Sequence, residues 1–394
     1  MKHRILSFIT LLTLLIASAG CSSSDAPEKL PQNPQNTSQK PSATTVTATT
    51  AAAAKTTKPT PAVSGETSDT QAETSATSLY DYMLEKLAAY ETVVRFSTEI
   101  PNETLDQTIK QILMDHPELF WIRQWYCTST PSWSKLEIDT EASKDELSEM
   151  SDQLNAALQE IVDQVPDADA YGKALFVHDY IVNHTDYDQK SADDPETVKS
   201  TTAYDCLVRH KAVCSGYSRA YQLVMQQLGY PCGVCSGTSR GISHAWNYIQ
   251  IEDKYYWADL TFDDPVSADG SSSDPDNIEH SYFLINDEML LRTRTMGTDN
   301  LFVPVCDSLE QNYYVRHNAF LESYSPEDVN AILARSTGEH RVEIMFRTSD
   351  ALQEAMTDLL NNEKIWELET VRSNSLTDLQ YQSEPDMNVL ILFF

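Results

Sequence analysis

Positive charge is what this chain has least of. Its 394 residues carry 28 Lys and Arg against 59 Asp and Glu, a formal net charge of −31. Phosphate backbones are held by basic surfaces, so a nucleic-acid role is disfavoured. Anionic lipids and anionic wall polymers would be repelled as well, and solubility outside a cell is the simplest reading of the excess. Long apolar runs are also scarce: after the first 20 residues none is long enough to cross a bilayer. No internal repeat is visible, no His/Cys spacing of a zinc site, and no Asp-x-Asp-x-Asp-Gly run of a calcium loop. Cysteine is neither rare nor even. Of seven Cys, setting Cys21 and Cys214 aside leaves Cys127, Cys206, Cys232, Cys235 and Cys306, an odd set whose pairing the sequence leaves open.

What is present is a thiol, an imidazole and a carboxylate, each in a telling context. Residues Ser215 to Leu228 place Tyr217, Ala220, Tyr221, Val224, Met225 and Leu228 at helical spacing, and Gly229 then ends the helix. Cys214 therefore opens a helix, where free N–H groups and the dipole favour the thiolate, the nucleophilic form. Gly216 is expected to leave room for a substrate at the first turn. Further on, His244 to Ile251 and Lys254 to Leu260 read as two strands around a Glu252-Asp253 turn, without the usual Gly. A symmetric register sets His244 opposite Thr261, with Asp259 as its same-face diagonal neighbour. Alone, such a Cys is commonly a small buried residue, such a His a satisfied core or surface residue, and such an Asp a turn or capping residue. Together they point to a Cys-His-Asp triad: Cys214 attacks, His244 moves the proton, Asp259 orients the ring.

Three blocks carry a family resemblance: Cys214-Ser-Gly-Tyr-Ser-Arg-Ala, His244-Ala-Trp-Asn, and Trp257-Ala-Asp-Leu-Thr-Phe-Asp-Asp-Pro265. They resemble the transglutaminase-like superfamily, in particular its bacterial exported branch, over roughly Tyr171 to Pro265. The helix Gly172 to His184 with Thr185-Asp186-Tyr187-Asp188, and Asp115-His116-Pro117-Glu118-Leu119-Phe120-Trp121, resemble that branch too. The resemblance implies an α+β fold with a papain-like core, a nucleophile helix packed on an antiparallel sheet. It implies acyl transfer through a Cys214 thioester, resolved by water (peptidase or amidase) or by an amine (cross-linking acyltransferase). Hydrolysis of protein or cell-wall peptide is favoured; a non-catalytic surface-binding or scaffold protein is the rival. The chain departs from the family in one respect. Ser200 to Val213 holds neither the Gln nor the Trp that commonly helps bind the oxyanion, and Tyr204 or His210 are the substitutes at hand beside the Cys214 N–H.

Around that core, residues 1–20 read as a lipoprotein signal peptide rather than part of the fold: Lys2, His3 and Arg4, an apolar run, then Ser18-Ala19-Gly20-Cys21. Cys21 would be lipidated; plain signal-peptidase cleavage is the alternative. Residues 21–76 form a Ser/Thr/Ala/Pro-rich tether unable to bury a core, reaching on the order of 150 Å if extended at ~3.1 Å per residue. Residues 77–140 read as a helical and strand region, 141–307 as the catalytic core, and 308–394 as a small α/β module. The expected location is the outer face of the cytoplasmic membrane, anchored by lipid. Two further readings complete the set. Asp263, Asp264, Asp269, Asp274, Asp276 and Glu279 look like a solvated acidic loop, with Ca²⁺ as the only cofactor worth considering and no metal site expected. Cys232-Gly-Val-Cys235 has redox spacing but runs toward a strand, where a small disulfide or buried thiols fit better than a redox centre.

Overall fold

A computed structural model describes residues 4–7, 78–193, 200–264 and 278–394. Cys21, the tether through residue 76, and Asp269, Asp274 and Asp276 lie outside the described residues. Among those described, no helix is long and apolar enough to cross a membrane.

The chain after Ser78 begins with two helices, Leu79–Ala88 and Asn102–Asp115, beside a three-stranded antiparallel sheet of Val93–Phe96, Trp133–Asp139 and Gln124–Thr130. The second helix buries Leu105, Ile109 and Ile112, one stripe at helical spacing. Of the aromatics here, Phe120 and Trp121 are buried, whereas Tyr126 and Trp133, on the strands themselves, stay exposed. The helix Lys144–Gln164 starts at a capping box in which Ser143 and Glu146 satisfy each other's backbone N–H.

The helix Cys214–Gln227 packs on a five-stranded antiparallel sheet and on the helix Ala170–His184. The sheet's spatial order is Phe283–Ile285, Lys254–Ala258, Ile242–Ile251, Cys232–Ser239, Arg294–Met296. Successive strand residues face opposite sides, so Tyr256 and Ala258 join the hydrophobic cluster beneath the helices, while Trp257 joins a second cluster behind the sheet. That second cluster also contains residues of the C-terminal strands Arg341–Phe346 and Val389–Phe393, so the last 87 residues share a core with the back of this sheet. The C-terminal sheet is mixed, in the order Asp378–Glu384, Val389–Phe393, Arg341–Phe346, Phe320–Leu321. The α+β class is as expected. One difference lies at its edge. Arg4–Ser7, within the expected leader, pair parallel with Asp378–Tyr381 at the edge of this sheet.

Candidate active site

Cys214 is the first residue of the helix Cys214–Gln227 and is half-buried. Three side chains fix that helix. Asn247 donates to the Ser218 carbonyl at 2.8 Å and to Gly233 at 3.1 Å. Arg219 donates to the Leu113 carbonyl at 3.0 Å and Gln222 to Met114 at 2.6 Å, closing the C-terminal end of Asn102–Asp115. The His244-Ala-Trp-Asn block thus carries both the imidazole and the side chain that registers it against the nucleophile helix. Gly216 serves packing, not substrate access. It is buried, and a Cβ there would meet the Ala212 Cβ at 2.6 Å and the Ser200 carbonyl at 3.1 Å.

The hairpin forms in the expected register, Ile251 opposite Lys254 through Asn247 opposite Ala258. Glu252 takes the left-handed conformation (φ 57°) that a Gly usually supplies. Pairing stops at Ala258, and Asp259 leaves the strand with its N–H on the Tyr282 carbonyl at 3.2 Å. Its carboxylate then receives His244 Nε2 at 2.8 and 3.1 Å. Nδ1 is the ring nitrogen left for the sulfur. Burial opposes charging His244, but Asp259 and Cys214 beside it raise its pKa to about 9. Burial also opposes ionising Asp259, but His244 and Arg294 outweigh it and hold that pKa near about 2.

Arg294 is the residue that sequence reasoning missed. Its guanidinium donates to Asp259 Oδ2 at 2.5 Å and is fully buried. It lies 4.0 Å from the centroid of the Phe262 ring and 4.1 Å from that of Tyr282. It stands on the edge strand paired with Cys232–Ser239, where Arg294 faces Ser239. No local spacing announces this contact, because sheet order creates it.

The oxyanion substitutes do not hold up equally. Tyr204 gives its one hydroxyl proton to Gln153 at 2.5 Å and stacks on Phe120 at 4.9 Å. That proton is spent on bridging to the helix Lys144–Gln164, which corrects the oxyanion expectation for Tyr204. His210 is exposed in a turn, with φ 54°.

The acidic loop is also corrected where it is described. Asp263 and Asp264 are buried, not solvated. Asp263 accepts the Tyr282 N–H at 2.9 Å and lies 3.2 Å from His178 Nε2. Asp264 lies 2.6 Å from the Tyr217 hydroxyl, which is also 2.7 Å from the Thr185 carbonyl. One phenolic proton cannot serve two acceptors. An extra proton on Asp264 resolves this, and burial does raise the Asp264 pKa to about 7.

His178 belongs to a second polar cluster. Its Nδ1 meets Asp179 at 2.8 Å, and the same Asp179 oxygen takes His280 Nε2 at 3.0 Å. The His178, Asp179 and His280 donor atoms lie within 4.8 Å of one another, close enough to surround a metal ion. Proton accounting favours a charge network instead. Both nitrogens of the fully buried His178 face carboxylates; burial opposes its charge, but Asp179 and Asp263 prevail and raise its pKa. An imidazolium has no lone pair for a metal.

The remaining thiols are quiet. Cys127, Cys206, Cys232, Cys235 and Cys306 are unpaired, and all but the half-buried Cys127 are buried. Burial pushes Cys206 and Cys235 up to about 12. Cys232 and Cys235 stand three apart on one strand, hence on opposite faces, which removes the redox-pair reading.

Residues 159–262 match the sequence model of the transglutaminase-like superfamily, and the chain carries that superfamily's core. The matched stretch includes Cys214, His244 and Asp259. Among solved structures the chain is similar to a TGase at 16% identity, over 46% of this chain and 53% of that one, with a TM-score of 0.28. It therefore spans about half the length of that TGase. It is also similar to a candidate cysteine protease from Cytophaga hutchinsonii (14% identity, 35% and 61% covered, TM-score 0.23) and to a candidate protease from Parabacteroides distasonis (11%, 40% and 40%, TM-score 0.20). No curated protein matches the chain.

Proposed function

We infer that this protein is an exported, lipid-tethered cysteine enzyme that cleaves peptide or carboxamide bonds through a Cys214 thioester. The observation that carries the reading is the pairing of His244 Nε2 with Asp259 at 2.8 Å beside a half-buried Cys214 that opens a helix. In the acylation step the Cys214 thiolate attacks the carbonyl carbon, and the C=O electron pair moves onto oxygen. His244 delivers its proton to the leaving amine as the C–N bond breaks, leaving a thioester. Asp259 keeps the imidazolium oriented and stabilised throughout. Water, activated by neutral His244, then releases the acid and restores the thiol. With water as the acceptor the enzyme is a peptidase or amidase acting on protein or cell-wall peptide. A tether on the outer face of the membrane would bring such substrates within reach.

Two assays test this. Iodoacetamide labelling at neutral pH, read by peptide mass spectrometry, should modify Cys214 fastest of all the cysteines. Cys214→Ala should remove turnover of peptide and carboxamide substrates entirely, with an unchanged thermal melt. Retained turnover in that variant would end the mechanism. Incorporation of an amine instead of release of the free acid would replace hydrolysis by cross-linking.

A further inference from the structure

The C-terminal module meets the candidate active site at one turn. Residues 385–388 join its strands Asp378–Glu384 and Val389–Phe393. The turn is fixed from its own side: the Phe346 N–H donates to the Asn388 carbonyl at 2.8 Å, and Met387 is fully buried. On the other side Asp386 binds two arginines of the five-stranded sheet. Its carboxylate pairs with Arg240, which also lies 3.8 Å from Glu384, and its carbonyl accepts from Arg292 at 3.4 Å. Both arginines stand where strands of the site begin. Arg240 lies in the turn before Ile242–Ile251, four residues ahead of His244. Arg292 lies two residues ahead of Arg294, whose strand Arg294–Met296 is an edge of three residues paired only with Gly237–Ser239. So short an edge strand has few ladder bonds to hold it. The Arg240 N–H on the Thr293 carbonyl at 2.9 Å and the Asp386 carbonyl on Arg292 add ties at its start. That start is where position matters. Arg294 donates to Asp259 and lies 4.0 Å from the Phe262 ring centroid, and the Phe262 ring lies 5.1 Å from that of His244. Arg240 lies 5.8 Å from the same Phe262 ring.

We propose that Asp386 is a positioning residue for the triad: by clamping Arg240 and Arg292 it holds Arg294 against Asp259, and so makes the C-terminal module a working part of the active site. The inference rests on Cys214 being the nucleophile and His244 its base. A partly exposed ion pair such as Asp386–Arg240 contributes little to global stability. Its consequence lies in where it acts, at the start of a short strand whose first side chain orients the triad acid. Asp386 touches neither Cys214 nor His244 and acts through Arg294 alone.

The test uses the full chain and p-nitrophenyl acetate, with Cys214→Ala as the blank, at ~pH 9.5, above the ~8.5 of a free thiol. In the burst the Cys214 thiolate attacks the ester carbonyl, and p-nitrophenolate leaves with the C–O electron pair, needing no proton. In turnover, water or an added primary amine attacks the thioester, His244 takes its proton, and the sulfur leaves with the C–S pair. Only turnover needs the His244 ring held as a base by Asp259. Asp386→Ala should therefore slow turnover about tenfold and leave the burst rate and the thermal melt unchanged. Asp386→Glu should recover most of the loss. Arg294→Met should slow turnover as well, and adding Asp386→Ala to it should slow turnover no further. Equal turnover in wild type and Asp386→Ala overturns the proposal. So does an equal loss of burst and turnover, which would mean that the turn supports the thiol or the fold. A full further loss in the Arg294→Met background also overturns it, since Asp386 would then act by another route. Absence of a burst in the wild type is a different result and overturns the nucleophile reading itself.

Discussion

Two His–carboxylate assemblies lie in this protein, and the same residue types do different work in each. At His244 one ring nitrogen is bound to Asp259 and the other is left for the Cys214 sulfur. At His178 both nitrogens meet carboxylates, Asp179 at 2.8 Å and Asp263 at 3.2 Å, and the side chain is wholly buried. A proton on His244 has somewhere to go when chemistry demands it; a proton on His178 does not. What separates a candidate catalytic histidine from a structural one here is the nitrogen left uncommitted. The two assemblies are linked by the turn that follows Asp259. The Asp263 N–H donates to the Asp259 carbonyl at 3.3 Å, so His178 holds the loop that carries the triad acid.

The largest expected effect breaks the first assembly. Asp259→Asn should lower kcat by about 10³- to 10⁴-fold, since the ring loses its orienting charge. It should also move the alkaline limb of kcat/KM. His244 stays protonated up to about pH 9 in the intact site, so the wild-type limb should fall there and the variant's limb should fall at lower pH. The same shift has a stability sign. A raised His244 pKa contributes stability that is complete below the unfolded value of 6.5 and fades as pH climbs through about 9. A limb that stays in place in Asp259→Asn would mean that Asp259 does not set the charge on His244.

Breaking the second assembly should cost stability instead of chemistry. His178→Leu takes the imidazole away from Asp263 and leaves Asp179 with His280 alone, and removing one partner of a buried ionic group costs about 3–5 kcal/mol. Denaturant melts should show that loss. The iodoacetamide reactivity of Cys214, measured on the folded fraction, should stay close to wild type. If reactivity collapses while stability holds, the division between the two histidines fails.

The smallest effect sharpens how the turn is balanced. Asp264 binds its proton up to about pH 7 when folded but only up to about its ordinary 3.8 when unfolded. Between those values the folded state holds more protons, so this residue's contribution to stability falls as pH rises through the window. Asp264→Asn removes that dependence. Its stability relative to wild type should climb between pH 4 and 7 by on the order of 3 kcal/mol, then level off. A flat difference across that range would place the extra proton elsewhere.

Much of this was legible in the chain. Helical spacing marked Cys214–Gln227, and the β-rich runs around Glu252-Asp253 gave the hairpin and its register. These signals are local, set by period and by turn chemistry. Three expectations went astray for one reason. Gly216, Tyr204 and Asp263-Asp264 each looked poised toward solvent or substrate; instead Gly216 is packed against Ala212 and Ser200, Tyr204 is bound to Gln153, and the two carboxyls are bound to His178 and Tyr217. Arg294 escaped notice for the complementary reason, since its strand reaches Asp259 only through the edge of the sheet.

The sequence by itself determined the candidate nucleophile and its helix, the imidazole and carboxylate on one hairpin, and the α+β class. All of these depend on residues near one another along the chain, where backbone geometry alone fixes the outcome. Tertiary structure decided which polar groups are spent and which are free. Arg294 buttresses Asp259, His178 has no nitrogen to spare, and Tyr204 has given its proton away. Those facts are differences in hydrogen-bond satisfaction between segments tens to hundreds of residues apart, and only packing brings such groups together.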